Sequence, residues 1–387
     1  MQIFAVMMVR NEADILRVNL LHHLALGVDR FLIVDNGSCD GTDRILEELS
    51  RDKRIRWRRD PGPYRQSEIT TLLAREAFRE GAGWVIPIDA DEFWYAPGGD
   101  FRGVLEKSPA GALQVEVLNF IQRREQRQAA PDALLHMTRR VPLPVGPLEC
   151  VQELVQTRQF AYVEMMYSPK FVSRPTARIE IAMGNHGVTG VQGPVEATDE
   201  ILCLHAVLRS RSALEAKVEQ GARVEELGLG PLQGWHVRRW RRLAEAGELE
   251  DEWLANSYSN DCLDVNGVPR QVAFDPRLRD VVAPWVNLPS QSGLPIRNEE
   301  KEQERAALLR TIQQQLNIHR REKKLLEETS RQQVGERDRI IRDLQAELFA
   351  KVGERDKTIR ELQAELHEKV AECNRIIRSL QERLRAR

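Results

Sequence analysis

Three acids crowd one short stretch of this 387-residue chain: Asp89, Asp91 and Glu92, within GAGWVIPIDADEFWY at 81–95. They follow the apolar run WVIPI, so a strand ends on groups that repel one another and are costly to bury. Either the acids form a solvated turn, or they meet at the carboxyl edge of a sheet and hold a cation. Asp89 and Asp91 alternate at the strand end, which lets two carboxylates converge on one divalent ion. Mg²⁺ and Mn²⁺ prefer oxygen ligands of this kind and keep positions open for phosphate. Another acid, Asp35, stands at the end of RFLIVD and is followed by the turn residues NGSCDGT.

The elements that must position these acids are legible nearby. QIFAVMMV reads as a buried strand. Apolar residues then fall at helical spacing over residues 12–26 (Ile15, Val18, Leu20, Leu21, Leu24), with Gly27 as the stop. RFLIVD is a second strand, and Thr42 caps a helix through Leu49. RIRWRRD is a more exposed third strand, residues 67–79 are a helix, and WVIPID is a fourth strand. Alternating strands and helices with continuously apolar strands predict a mostly parallel sheet with helices on both faces. Ligands of such sheets bind outside the carboxyl ends of the strands, so Asp35 and Asp89 are expected at one edge.

The pattern is less regular over 111–290. ALQVEVLNF is strand-like, and ILCLHAVLRS leads into the helix SALEAKVEQGARVEEL. WHVRRWRRLAEAGELEDEWL reads as an amphipathic surface helix with tryptophans inward and arginines solvated. His22 and His23, mid-helix with no acid at metal spacing, read as packing. Residues 291–300, within a Pro-, Gly- and Ser-bearing stretch, are the expected linker.

Beyond it the chain becomes charged, helix-forming and repetitive. VGERDRIIRDLQAELFAK, VGERDKTIRELQAELHEK and VAECNRIIRSLQERLRAR start at Val334, Val352 and Val370, a step of 18 residues. Eighteen residues in five turns is about 3.6 per turn, between the heptad and eleven-residue repeats. The apolar stripe this produces asks for partner helices. Residues 301–387 are therefore expected to form a coiled coil that self-associates or takes another protein's helix.

Composition narrows the partners. The chain has 57 basic and 59 acidic residues, a net charge of −2, which gives no electrostatic case for nucleic acid. Five scattered cysteines without CxxC spacing argue against a disulfide framework or zinc site. No stretch reads as a signal-peptide core or a bilayer span. The expectation is a cytoplasmic protein, with peripheral contact at the inner membrane compatible with that reading.

Taken together, VMMVRNEADILRVNLLHHLALGVDRFLIVDNGSCDGT and WVIPIDADEF resemble the glycosyltransferase family 2 group of GT-A fold, and within it the bacterial family-2-like branch. The resemblance covers about residues 1–215. It implies a GT-A-like domain over 1–290, with a Rossmann-like nucleotide-sugar half at about 1–110 and an acceptor half at about 111–290. It implies transfer of a sugar, with inversion, from a nucleotide-diphosphate donor to a glycan, lipid-linked or protein acceptor.

By the same resemblance, Asp89, Asp91 and His205 hold Mn²⁺ or Mg²⁺, which stabilises the charge of the leaving diphosphate. Arg10, Asn11 and Glu12 contact the nucleotide, Asp35 its base or ribose, and Arg75 and Asp89 complete the donor site. Transfer needs a base for the acceptor hydroxyl. The acidic motif that the family usually supplies does not stand out here, and His186, Glu164 and Glu180 are the candidates. That departure keeps an alternative open: a degenerate transferase domain acting as an interaction module on a coiled-coil scaffold.

Overall fold

A computed structural model describes residues 1–142, 144–146, 148–226 and 234–286, and in the C-terminal stretch 351, 355, 357, 360–379 and 381. The expected linker and most of the repeats lie outside the described residues. The chain divides into two units, residues 1–310 and 311–387.

The first unit opens with β1 (Ile3–Val9), α1 (Leu16–Leu26), β2 (Arg30–Asp35), α2 (Thr42–Leu49), β3 (Ile55–Arg59), α3 (Gln66–Arg79), β4 (Trp84–Pro87), β5 (Glu92–Tyr95) and α4 (Phe101–Lys107). It continues through β6 (Ala112–Ile121), β7 (Arg139–Arg140), α5 (Leu148–Gln156), β8 (Lys170–Ser173), β9 (Glu180–Ile181), β10 (Val188–Thr189) and β11 (Val195–His205). Three helices follow: α6 (Arg211–Glu226), α7 (Trp235–Glu245) and α8 (Leu249–Ala255). Short strands β12 (Tyr258–Ser259), β13 (Cys262–Val265), β14 (Val268–Gln271) and β15 (Ala273–Phe274) precede α9 (Arg277–Val286).

Alternation along β1 and β2 explains the helices on both faces. Ile3, Ala5, Met7, Phe31 and Ile33 join a core with Ile15, Leu16 and Leu20 before and in α1 and with Leu46 and Leu49 of α2. Phe4, Val6, Leu32 and Val34 point the other way, onto Ile69, Leu73, Ala74 and Ala77 of α3. With both faces covered, each strand must be apolar throughout, which is why these segments read as unbroken apolar runs.

The sheet is mixed rather than mostly parallel. Its order is β15-β7-β6-β8-β4-β1-β2-β3, with β11 joining β6 and β5. Strands β4, β1, β2 and β3 are parallel neighbours. Beyond them β8 runs antiparallel to both β4 and β6, and β11 pairs parallel with β6 and antiparallel with β5. Inserting β8 beside β4 places Lys170, the first residue of β8, near the end of β4. Pairing β11 with β5 sets His205 opposite Glu92.

Two local readings change as well. The first helix starts at Leu16 rather than at residue 12, because Asn11 adopts the left-handed conformation (φ 55°) and breaks the chain direction after β1. In α7 the tryptophans turn inward as expected, but Arg239 does too: it is buried and ion-paired with Glu252. Among the described residues, no helix is long and apolar enough to cross a membrane. In the second unit, residues 360–379 are helical, with Leu362, Leu366, Val370, Ile376 and Ile377 exposed.

Candidate active site

The ends of β1 and β4 open onto a cavity of about 510 Å³, lined by Arg10, Glu12, Gln66, Asp89, Asp91, Glu92, Lys170, His186, His205 and Lys217, and on a further wall by aromatic side chains. That volume is in the range of small-molecule sites. The acids expected to repel one another are each matched to a cation drawn from a distant element.

Asp89 sits in a cage. Lys170 Nζ lies 2.8 Å from its Oδ2, while Gln66 Nε2 and Asn185 Nδ2 donate to Oδ1 at 2.8 and 3.1 Å. The same ammonium reaches Glu92 at 2.5 Å and donates to the Gly184 carbonyl at 2.6 Å. Burial alone would strip Lys170 of its proton, but Asp89 and Glu92 reverse this and raise its pKa. Glu92 responds oppositely: burial pushes it up to about 8, against the pull of Lys170.

Asp91 is arranged differently. Lys217 Nζ from α6 lies 2.9 Å from Oδ2, and His205 Nε2 stands 3.6 Å from Oδ1. His205 is oriented through its other nitrogen, with Nδ1 2.9 Å from Asn119 Oδ1. Burial opposes charge on Asp91, yet Lys217 and then His205 hold its carboxyl well below the usual carboxylate range.

A third group closes the cluster. Buried Arg209 reaches Glu12 at 2.7 Å and Asp14 through two nitrogens at 2.5 and 2.7 Å. Burial still lifts Glu12 to about 7, with Arg209 pulling down and Asp91 pushing up. Five carboxylates (Glu12, Asp14, Asp89, Asp91, Glu92) thus pair with three cations (Lys170, Arg209, Lys217). The excess is two, and two of the five, Glu12 and Glu92, have raised pKa values.

The expected metal set divides on this geometry. Asp91 and His205 face each other, with His205 Nε2 3.6 Å from Asp91 Oδ1. Asp89 has its oxygens engaged by Lys170, Gln66 and Asn185, so it contributes charge rather than a free ligand atom. Among the described residues, no group of three or more His, Cys, Asp or Glu is arranged to hold a metal.

The expected donor-site residues also separate. Arg10 and Glu12 line the cavity, and Arg10 donates to the Asn36 carbonyl at 2.5 Å. Asn11 serves the turn: its Oδ1 accepts from Cys39 N at 2.9 Å, and its own N–H donates to Ser38 Oγ at 3.0 Å. Asp35 is fully buried and does not line the cavity. Its carboxylate accepts from the Ser38 hydroxyl and from Ser38 N at 3.0 Å, fixing the turn after β2. Gly37, at φ 77° and close to Pro61 and Arg10, makes that turn possible. Arg75 lies outside the cavity, donating to the Ile179 carbonyl at 3.0 Å and pairing with exposed Glu180 at 3.5 Å.

Of the three base candidates, His186 lines the cavity. Its Nδ1 lies 3.2 Å from the Pro169 carbonyl, so Nδ1–H donates and Nε2 keeps its lone pair. Burial, then Lys170, lowers its pKa to about 4, leaving the ring neutral at pH 7. Glu164 is a structural acid: it accepts from Ala161 N at 2.7 Å and pairs with Arg270 at 3.1 Å. Glu180 belongs to the Arg75 pair.

Sequence reading missed Gln66, Asn185 and Lys217. None carries a local signal, because each meets its acid across the fold. Missed too was the aromatic wall, where Tyr167 packs on His205 (ring centroids 5.0 Å apart) and Tyr162 on Trp240 (4.9 Å).

With this geometry in hand, comparison with known proteins identifies the segment that carries β1 to β6. Residues 4–134 match the family model of glycosyl transferase family 2. A glycosyltransferase family 92 protein of Oryza sativa subsp. japonica is 37% identical over 97 residues, covering 24% of this chain and 16% of the relative. One from Arabidopsis thaliana is 32% identical over 114 residues, covering 29% and 19%. The matched stretches span less than a fifth of these curated relatives. Among solved structures, S. aureus TarS 1-349 in complex with UDP-GlcNAc aligns with a TM-score of 0.34 at 10% identity, over 71% of this chain and 97% of that one. The family 2 segment includes Glu12, Asp89, Asp91 and Glu92; Lys170, His205, Arg209 and Lys217, which neutralise or orient them, lie beyond it.

Proposed function

We infer that this chain is a glycosyltransferase that moves a sugar from a nucleotide-diphosphate donor to a glycan, lipid-linked or protein hydroxyl, with inversion. The observation that carries the reading is the facing pair Asp91 and His205, set in one cavity with Glu12, Asp89 and Glu92 at the ends of β1 and β4. A divalent cation held by Asp91 and His205 would supply Lewis-acid stabilisation to the departing diphosphate.

The chain's own residues supply the rest. Arg10 and Lys217 bring positive charge to the donor side of the cavity. Lys170 holds Asp89 and Glu92 in place beneath it. The acceptor oxygen attacks the anomeric carbon as the bond from that carbon to the diphosphate oxygen breaks. The bonding pair leaves with the diphosphate. His186 Nε2, neutral and unprotonated, takes the acceptor's proton. The apolar stripe of the C-terminal repeats serves association with partner helices.

Thermal stabilisation by UDP-, GDP- and dTDP-sugars, each with Mn²⁺ and with EDTA, tests the reading. A rise in Tm with one donor, larger in Mn²⁺, is expected. No shift with any donor in either condition overturns it.

A further inference from the structure

Lys170 and Lys217 neutralise neighbouring acids in different ways. Lys170 is 3% exposed and has three acceptors, Asp89, Glu92 and the Gly184 carbonyl. Lys217 is 16% exposed, lines the cavity, and among the described residues its ammonium is held by Asp91 alone. Its helix is firmly anchored at the start. Arg209, two residues before α6, is buried in the Glu12 and Asp14 pairs, and Arg211 bonds Glu215 and Glu250. A fixed helix start thus carries a side chain whose four-carbon stem and rotatable ammonium can change partners.

Asp91 is also the acid that faces His205. A divalent cation shared by Asp91 and His205 and the Lys217 ammonium would contend for one carboxylate, and like charges this close repel. A diphosphate arriving beside the cation offers Lys217 a new anionic partner within the same cavity.

We propose that Lys217 is a tethered counter-ion of Asp91: it occupies the carboxylate while the site is empty and passes to the diphosphate when donor and metal enter. The proposal rests on the metal-dependent reading above. It makes binding of metal and diphosphate mutually favourable, because each relieves the cost the other imposes on Lys217. By linkage the effect is reciprocal.

The test uses full-length protein with two probes: Mn²⁺ alone, followed by electron paramagnetic resonance, and inorganic pyrophosphate at saturating Mn²⁺, followed by calorimetry. In Lys217→Met, Mn²⁺ alone is expected to bind about tenfold more tightly than in wild type, while pyrophosphate binds about tenfold more weakly (about 1.4 kcal/mol each way). Lys217→Arg, which keeps the charge, is expected to stay near wild type in both. A general loss of fold would weaken both ligands, so the opposite signs are diagnostic. If wild type binds pyrophosphate with Mn²⁺ but Lys217→Met gains no affinity for Mn²⁺ alone, or loses none for pyrophosphate, the counter-ion role is overturned. If wild type binds Mn²⁺ under neither condition, the metal-dependent reading falls and this role falls with it.

Discussion

Lys170 and Asp89 meet at 2.8 Å although 81 positions separate them in the chain. The contact exists because β8 lies antiparallel beside β4, with Ser173 opposite Val85. The ammonium then serves two buried or half-buried acids at once, and nothing local to Asp89 announces it.

Removing that ammonium strands both acids. Lys170→Met is expected to lower folding stability by about 3 kcal/mol, as one-sided loss of a buried ion pair does. Adding Asp89→Asn should recover part of the loss, since it removes one of the two acids left without the ammonium. Denaturant unfolding of the wild type and the two variants measures this. An unchanged midpoint in Lys170→Met would show that solvent already screens the cluster.

What the sequence made legible follows from range. Strands β1, β2 and β4 were readable because burial on both faces demands unbroken apolar runs, and a run of this kind is a local property. The acids at the ends of those runs were readable for the same reason. Their cations were not: Lys217 reaches Asp91 across 126 positions, and Arg209 reaches Asp14 across 195. At Asp35, local position and structural surroundings point different ways. At the end of a strand it has the look of a ligand-facing acid, but Ser38, three residues on, claims the carboxylate for the turn. The mixed sheet was hidden because β8 is only four residues long and lies in a segment without clear periodicity.

Asp91 carries the metal expectation most directly. Asp91→Asn keeps the side chain's size but removes the charge that Lys217 and His205 share. Donor affinity in Mn²⁺ should fall at least tenfold, whereas affinity in EDTA should change little. Titration calorimetry in both conditions distinguishes the outcomes; equal losses would mean that Asp91 shapes the cavity rather than holding a cation.

Glu12 gives the cluster a pH signature. Its pKa rises from 4.5 to about 7 on folding, chiefly through burial. The folded state therefore binds this proton more tightly than the unfolded state. Stability from this group is fully present below about 4.5, declines as pH rises toward about 7, and is level above that. In Glu12→Gln the decline across that window should be shallower than in wild type. Melting curves from pH 4.5 to 7.5 check it, at about half-unit steps. An identical slope in both proteins would assign the pH dependence to other groups.

The repeats lead to a prediction about assembly. Leu362, Leu366 and Val370 are 60%, 62% and 50% exposed on a helix, and the apolar stripe they belong to recurs in step with the 18-residue repeat. A single charged helix cannot bury this stripe by itself, whereas a second copy can. The full-length chain is therefore expected to self-associate at micromolar concentration, and a chain ending near Ser290 to be monomeric. Leu362→Asp combined with Leu366→Asp should give the mass of a monomer while leaving donor binding intact, because the cavity residues all lie before residue 241. Light scattering of the three proteins measures this directly. If the full-length chain is itself monomeric, the stripe is not a self-association surface, and a helix from a different protein must cover it.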